Sequence, residues 1–313
     1  MLTYIVRRVL YAIPILIGVS LLTFLLFYGS FSPDMVARRN LSAKNPTSQQ
    51  IKDWKVQHGY DKPLKDQFKK HMSELFRLDF GKSDTTNEVI WDRIRVGAGP
   101  SAFIAGLTFF FALLTDIALA VYAAYFRGTY IDVWLTTLCV LMMSIPYIVF
   151  ILVSQFFMGK VLHIFPLGGY QTGVASWRFV LLPVIVGVIA GLGGSVRMYR
   201  TFMLEEVGQD YVRTSRAKGV PEGRILFRHV LKNAAIPIIT STVLSIPFLI
   251  TGNLLLESFF NVPGLGGYLV DAINSQDFAV VRAMVFLGTI LYIIGAIMTD
   301  VCYALADPRI RLE

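Results

Sequence analysis

Charged side chains are scarce in this sequence: they make up 16% of its 313 residues, where a soluble globular domain carries about 25%. With 55% hydrophobic residues alongside, the shortfall points to lipid as the solvent for much of the chain. Cysteine is nearly absent. The two present, Cys139 and Cys302, lie inside apolar runs, so neither a disulfide framework nor a thiolate metal site can be built. The four histidines, His58, His71, His163 and His229, are scattered and make no metal-ligand spacing. No Gly-x-x-x-x-Gly-Lys-Ser/Thr run occurs, so the chain lacks the phosphate cradle of an ATPase. Gly191, Gly193 and Gly194 sit in an apolar run without a following lysine and read as close helix packing. Residues 263–267 read as a turn-rich loop.

What is present is a set of six long apolar segments, at 9–28, 101–126, 133–158, 179–196, 234–256 and 283–305. About 20 residues at 1.5 Å rise cross a bilayer, and backbone polar groups in hydrocarbon must be satisfied within the segment, so helices are expected. Arg7 and Arg8 precede the first run, but it is too long for a signal peptide's apolar region and no small-x-small cleavage site follows Tyr28. It reads as an uncleaved anchor. With the N-terminus inside, thirteen Lys and Arg fall in cytoplasmic segments, including Arg7, Arg8, Arg127, Arg309 and Arg311, and eight of them lie between Arg197 and Lys232. The two short outer loops hold three, Lys160, Arg178 and Arg282. Both termini are therefore expected in the cytoplasm. The net charge of +8 is then topological, with no nucleic-acid partner implied.

The organisation expected is an N-terminal segment with the first membrane helix at 1–30, an extracytoplasmic helical insertion at 31–99, and a core domain at 100–313 with five membrane helices and a cytoplasmic loop at 197–233. In the insertion, Leu64, Phe68, Met72, Leu75 and Phe76 recur at helical spacing and predict a short amphipathic helix. In the cytoplasmic loop, Gly219 and Pro221 separate two helix-compatible stretches, about 205–218 and 222–232. Two membrane helices can be joined by a few residues. A structured hairpin of this length suggests a docking surface.

The stretch from Asp210 to Pro237, Asp-Tyr-Val-Arg-Thr-Ser-Arg-Ala-Lys-Gly through Arg-His-Val-Leu-Lys-Asn-Ala-Ala-Ile-Pro, resembles the coupling loop of ABC-importer permeases, and more narrowly the B-type subunit of the peptide/nickel branch. The match extends along the chain. Ile5-Val6-Arg7-Arg8, Tyr60-Asp61-Lys62-Pro63-Leu64, Leu78-Asp79-Phe80-Gly81-Lys82-Ser83, Phe165-Pro166-Leu167-Gly168-Gly169, Glu257-Ser258-Phe259-Phe260, Pro263-Gly264-Leu265-Gly266 and the C-terminal Tyr303-Ala304-Leu305-Ala306-Asp307-Pro308-Arg309-Ile310-Arg311 fit in order. The sequence departs from the wider superfamily where Arg213, Thr214 and Ser215 replace Glu-Ala-Ala, with Gly219 retained and Lys232 in place of proline. Phe31-Ser32-Pro33-Asp34 likewise replaces Pro-Gly-Asp-Pro.

The resemblance implies an all-α membrane fold with six transmembrane helices, that of a type I ABC importer permease. It also implies a bacterial or archaeal cytoplasmic membrane and a non-catalytic subunit carrying di- or oligopeptides. The expected partners are a homologous second permease, two ATPase subunits that bind ATP and Mg, and an extracytoplasmic substrate-binding protein. Its coupling residues would be Asp210, Tyr211, Arg213, Thr214, Ser215, Arg216, Ala217, Lys218 and Gly219, with Arg213 needing an acidic partner on the ATPase.

Intramembrane polar residues are costly and usually functional. Asp116, Gln155, Asn253 and Glu257 are therefore candidates for the translocation path, while Asp300, near its segment's end, reads as structural. Asp116 has two readings, a path-lining carboxylate or a buried hydrogen bond or ion pair with another helix, for instance with Arg197 or the partner permease. A secondary carrier or channel with Asp116 as its ion-coupling group is the alternative function; the lack of an inverted repeat and the elaborate hairpin weigh against it.

Overall fold

A computed structural model describes residues 2–30, 32–41, 46–171, 173, 176–250 and 253–306. Phe31 and the C-terminal Asp307 to Arg311, with Arg309 and Arg311, lie outside the described residues. Among the described residues the regular structure is helical, with one isolated bridge, Lys82 to Val89. It divides into two compact units, one from Met1–Ala98 with Tyr268–Ile297, the other from Gly99–Gly267 with the segment that starts at Met298.

In the first unit, α1 (Leu2–Ser30) is the first apolar span. Three short helices follow: α2 (Pro33–Asn40), α3 (Ser48–His58) and α4 (Leu64–Phe76). Ser32 caps α2, whose first residue is Pro33, and Thr47 with Gln50 forms a reciprocal capping box on α3. Val36, Ala37, Ile51, Trp54 and Phe278 make the core that α2 and α3 share. Helix α4 has the extent its spacing predicts, but of the predicted apolar set only Leu75 is buried, with Phe68 and Met72 half-buried. Gln67, His71 and Leu75 are buried, whereas Leu64 is 61% and Phe76 51% exposed. The unit is closed by Asp277, 2% exposed, just before α14 (Phe278–Ala306). Its carboxylate accepts from the Ser83 hydroxyl, the Thr85 hydroxyl at 2.8 Å and the Asp84 backbone N–H at 3.2 Å, while Asp84 accepts from Ala279 N–H at 3.1 Å.

Helix α5 (Ile90–Tyr125) begins eleven residues before the apolar run predicted from residue 101, and its 36 residues reach about 54 Å at 1.5 Å each. It leads into the second unit. The predicted third span is broken: α6 (Tyr130–Met143) and α7 (Tyr147–Ser154), extended by π-helical Gln155–Val161, meet at 94°. Pro146 lies in the break, where it can donate no backbone hydrogen bond and disfavours a helical Ile145. Helix α8 (Trp177–Val207) continues past the predicted end at 196, so residues 197–207 are helix rather than loop. After α9 (Asp210–Ala217) and α10 (Glu222–Ile225), π-helical Leu226–Val230 runs into α11 (Leu231–Ile250), followed by α12 (Leu254–Phe259) and α13 (Leu265–Ser275).

Among the described residues four helices are long and apolar enough to cross a membrane, or five if the bent pair counts as one span. Only 22–39% of their apolar windows is buried within the chain, which leaves wide apolar flanks for lipid or neighbouring subunits. Small residues serve close packing at Gly193, where a Cβ would approach the Cys139 carbonyl of α6 to 2.6 Å. Gly191 and Gly194 face open space, so that explanation does not extend to them.

Candidate functional site

Between α8 and α11 the chain builds a helical hairpin on a hydrophobic base. Val212, Ile225, Leu226 and Val230 are fully buried against Ala120, Val121 and Ala124 of α5 and Tyr199 and Met203 of α8. The first predicted stretch is shorter than expected, because α8 ends at Val207 and Gly208 and Gln209 break the chain before α9. The second is not separate, since α10 leads directly into α11.

Gly219, at φ 74°, ends α9. Its N–H donates to Arg216 O at 2.9 Å and that of Val220 to Ser215 O at 3.2 Å, the paired bonds of a Schellman cap that needs a left-handed residue here. A Cβ at Gly219 would meet nothing within 4 Å, so the demand is on backbone conformation and not on space.

The nine expected coupling residues therefore form one continuous element, and its two sides differ. Val212 is buried, the Tyr211 hydroxyl donates to Glu206 of α8 at 2.7 Å, and Ser215 is half-buried and bonded to Tyr211 O at 2.8 Å. Burial, with the Glu206 bond adding, pushes the Tyr211 phenol up to about 12. Arg216 donates twice to Glu222 across the Gly219 turn, at 3.0 and 2.7 Å, raising its own pKa and holding the Glu222 carboxyl below the usual carboxylate range. On the other side Asp210, Arg213, Thr214, Ala217 and Lys218 are all exposed, and Arg213 is tied only to Asp210, at 3.4 Å. A short helix is thus pinned from below and bare above.

Gln155, Asn253 and Glu257 come together elsewhere, around α12, and Asp116 is not among them. The Gln155 amide donates to Leu167 O and Phe259 O, each at 2.8 Å. Asn253 donates to the Tyr147 hydroxyl at 2.9 Å and caps α12 through Leu256 N–H at 3.1 Å. Glu257, 1% exposed, accepts from the N–H groups of Gly266 at 2.7 Å, Gly267 at 3.2 Å and Asn253 at 3.1 Å. The Pro263 to Gly267 turn is therefore explained by the carboxylate it wraps, which closes the first turn of α13. Asn253 and Glu257 border a cavity of about 510 Å³ with Thr108 and Ser245. Asp116, 4% exposed on α5, bonds Ser195 of α8 and makes no ion pair with Arg197, and its Oδ1 has no hydrogen-bond partner.

Sequence reasoning missed three acidic anchors: Glu222, Asp277 and Asp132. Asp132, 5% exposed near the start of α6, accepts from Arg200 of α8 at 2.7 and 2.6 Å and from Gly128 N–H at 3.2 Å. Each bonds residues remote from it or across a turn, and no local periodicity signals such a pair.

Residues 116–312 match the family described as binding-protein-dependent transport system inner membrane component, and residues 1–94 match the N-terminal part of such membrane components. The oligopeptide transport system permease protein AppB of Bacillus subtilis is 31% identical over 323 residues, covering 99% of this chain and 100% of the relative. The glutathione transport system permease protein GsiC of Salmonella paratyphi A is 32% identical over 315 residues, covering 100% of both.

Proposed function

The chain belongs to the family of binding-protein-dependent transport system inner membrane components, the permeases of ABC importers, and from that premise we propose that it forms half of a peptide translocation path worked by ATPases docking on α9. It is a non-catalytic, multi-pass membrane subunit. Peptide is the proposed substrate class, because relatives that align over its full length are named for oligopeptide and glutathione transport. The self-sufficient carrier suggested by Asp116 gives way to this reading.

The observation that carries the docking role is α9 itself: Val212, Tyr211 and Arg216 pin it to the chain, while Asp210, Arg213, Thr214, Ala217 and Lys218 stand free of it. A rigid peg with one bare polar face suits a groove on another protein, and Arg213 suits an acidic residue within that groove. ATP and Mg would bind the ATPase subunits; a homologous permease would complete the path, and an extracytoplasmic binding protein would deliver the substrate. The proposed topology has six crossings, α1, α5, the α6–α7 pair, α8, α11 and α14, with both termini and α9 in the cytoplasm and residues 31–99 outside. Asp116 is the proposed path-lining group, and Gln155, Asn253 and Glu257, committed to bonds within the chain, brace the wall.

Arg213→Glu tests the docking. In a purified complex reconstituted in vesicles, peptide uptake per ATP should fall about tenfold or more, and ATPase subunits should co-elute less tightly. Unchanged uptake and co-elution would overturn the proposal.

A further inference from the structure

Glu222 is shared by two arginines from opposite directions. Arg216 of α9 holds it with two hydrogen bonds, at 3.0 and 2.7 Å. Arg127, in the turn between α5 and α6, stands 3.8 Å from the same carboxylate. The two contacts differ in kind. The first is a closed bidentate pair that locks α9 to the start of α10 across the Gly219 turn. The second is a charge contact too long for a hydrogen bond, and Arg127 keeps a buried Nη1 with no hydrogen-bond partner. Arg127 thus holds its Nη2 short of the carboxylate while its Nη1 is left without a partner, and such a guanidinium marks a joint with a second, tighter arrangement open to it.

The same turn is gripped from its other end. Asp132 takes both prongs of Arg200 from α8, at 2.7 and 2.6 Å, and the Gly128 N–H at 3.2 Å. Residues 126–132 therefore lie between a firm clasp to α8 and a loose one to the α9–α10 hairpin, all within one compact unit.

We propose that Glu222 is a positioning residue for coupling: through Arg127 it delivers displacement of α9 to the α5–α6 turn, making that turn a second output of the docking helix. Connection along the chain carries α9's movement to α8 and α11 only. Packing of Val212 on the buried base reaches α5 as well; the Arg127 contact adds the α5–α6 turn and α6, and the Asp132–Arg200 pair keeps α6 and α8 in step. A solvent-facing ion pair alone is worth little. What sets this one apart is the second arginine and its unsatisfied donor. The inference rests on α9 being where ATPases dock.

The test is hydrogen exchange on the assembled importer in lipid nanodiscs, with and without ATP and Mg. Protection is read separately at residues 210–217 and 126–132. In the unmutated complex both segments should respond to nucleotide. Glu222→Gln, which also loosens the Arg216 pin under α9, should lose at least about fivefold at 126–132, and Glu222→Asp should restore most of it. Arg127→Ala leaves the Arg216–Glu222 pair intact, so it carries the test if the Glu222 variants fail to assemble; it should give the same loss at 126–132 and keep the response at 210–217, and the double variant should be no worse than either single one. A nucleotide response at 126–132 that survives both single substitutions would overturn the proposal while leaving the docking role standing. A silent 210–217 in the unmutated complex would overturn the docking role itself.

Discussion

Glu257 accepts from three backbone N–H groups in a setting that is 1% exposed. Removing such an acceptor strands buried donors, at about 1–3 kcal/mol each. Glu257→Ala is therefore expected to destabilise the purified chain by about 3 kcal/mol, seen as a lower midpoint of thermal unfolding. Glu257→Gln keeps one acceptor oxygen and should recover part of that. An alanine variant that melts with the parent would show that the amides find other partners. Glycines near the two sites are constrained for opposite reasons. A Cβ at Gly264 would overlap the Glu257 carboxylate and the Ser101 hydroxyl, whereas at Gly219 the space is open and only the backbone's sign matters.

Among the elements, α4 carries a pH dependence. Burial, with the Arg282 charge adding, lowers His71 from its ordinary 6.5 to about 4. The unfolded ring protonates at its ordinary value while the folded ring resists, so its contribution is fully present above about pH 6.5 and drains away as pH falls toward 4. Protection of residues 64–76 against hydrogen exchange should fall across that window, and His71→Phe should flatten the dependence; equal protection at pH 7 and 4 would refute it. The same helix marks how far sequence could be read. Its length followed from the spacing of Leu64, Phe68, Met72, Leu75 and Phe76, but spacing names a period and not which members of the set meet protein. Where lipid or a partner also accepts apolar surface, Leu64 and Phe76 can face outward and Gln67 and His71 inward. The spans at 9–28 and 283–305 were legible because a long apolar run has few alternatives. The 94° break at Ser144 to Pro146 was not, because the apolar run continues through it. The turn that ends α9 was legible at Gly219, whose conformation is local, whereas the clasps at Glu222 and Asp132 were not, because their partner arginines give no local signal.

For the molecule as a whole, the first unit is assembled from both ends of the chain. Ser83, Asp84 and Thr85 reach Asp277 across more than 190 residues of sequence. Asp277→Ala should release residues 77–89, read as new proteolytic cuts there while the α9 region stays protected; an unchanged digest would show that the clasp is redundant. That bond also sets a timetable. During synthesis the segment after α1 emerges early, yet its fastening partner, residue 277 of this 313-residue sequence, is made much later. Until then the early segment lacks the carboxylate that ties it down, and a ribosome stalled before residue 277 would leave it open to proteases. The turn that leads into α14 thus fastens a segment made long before it.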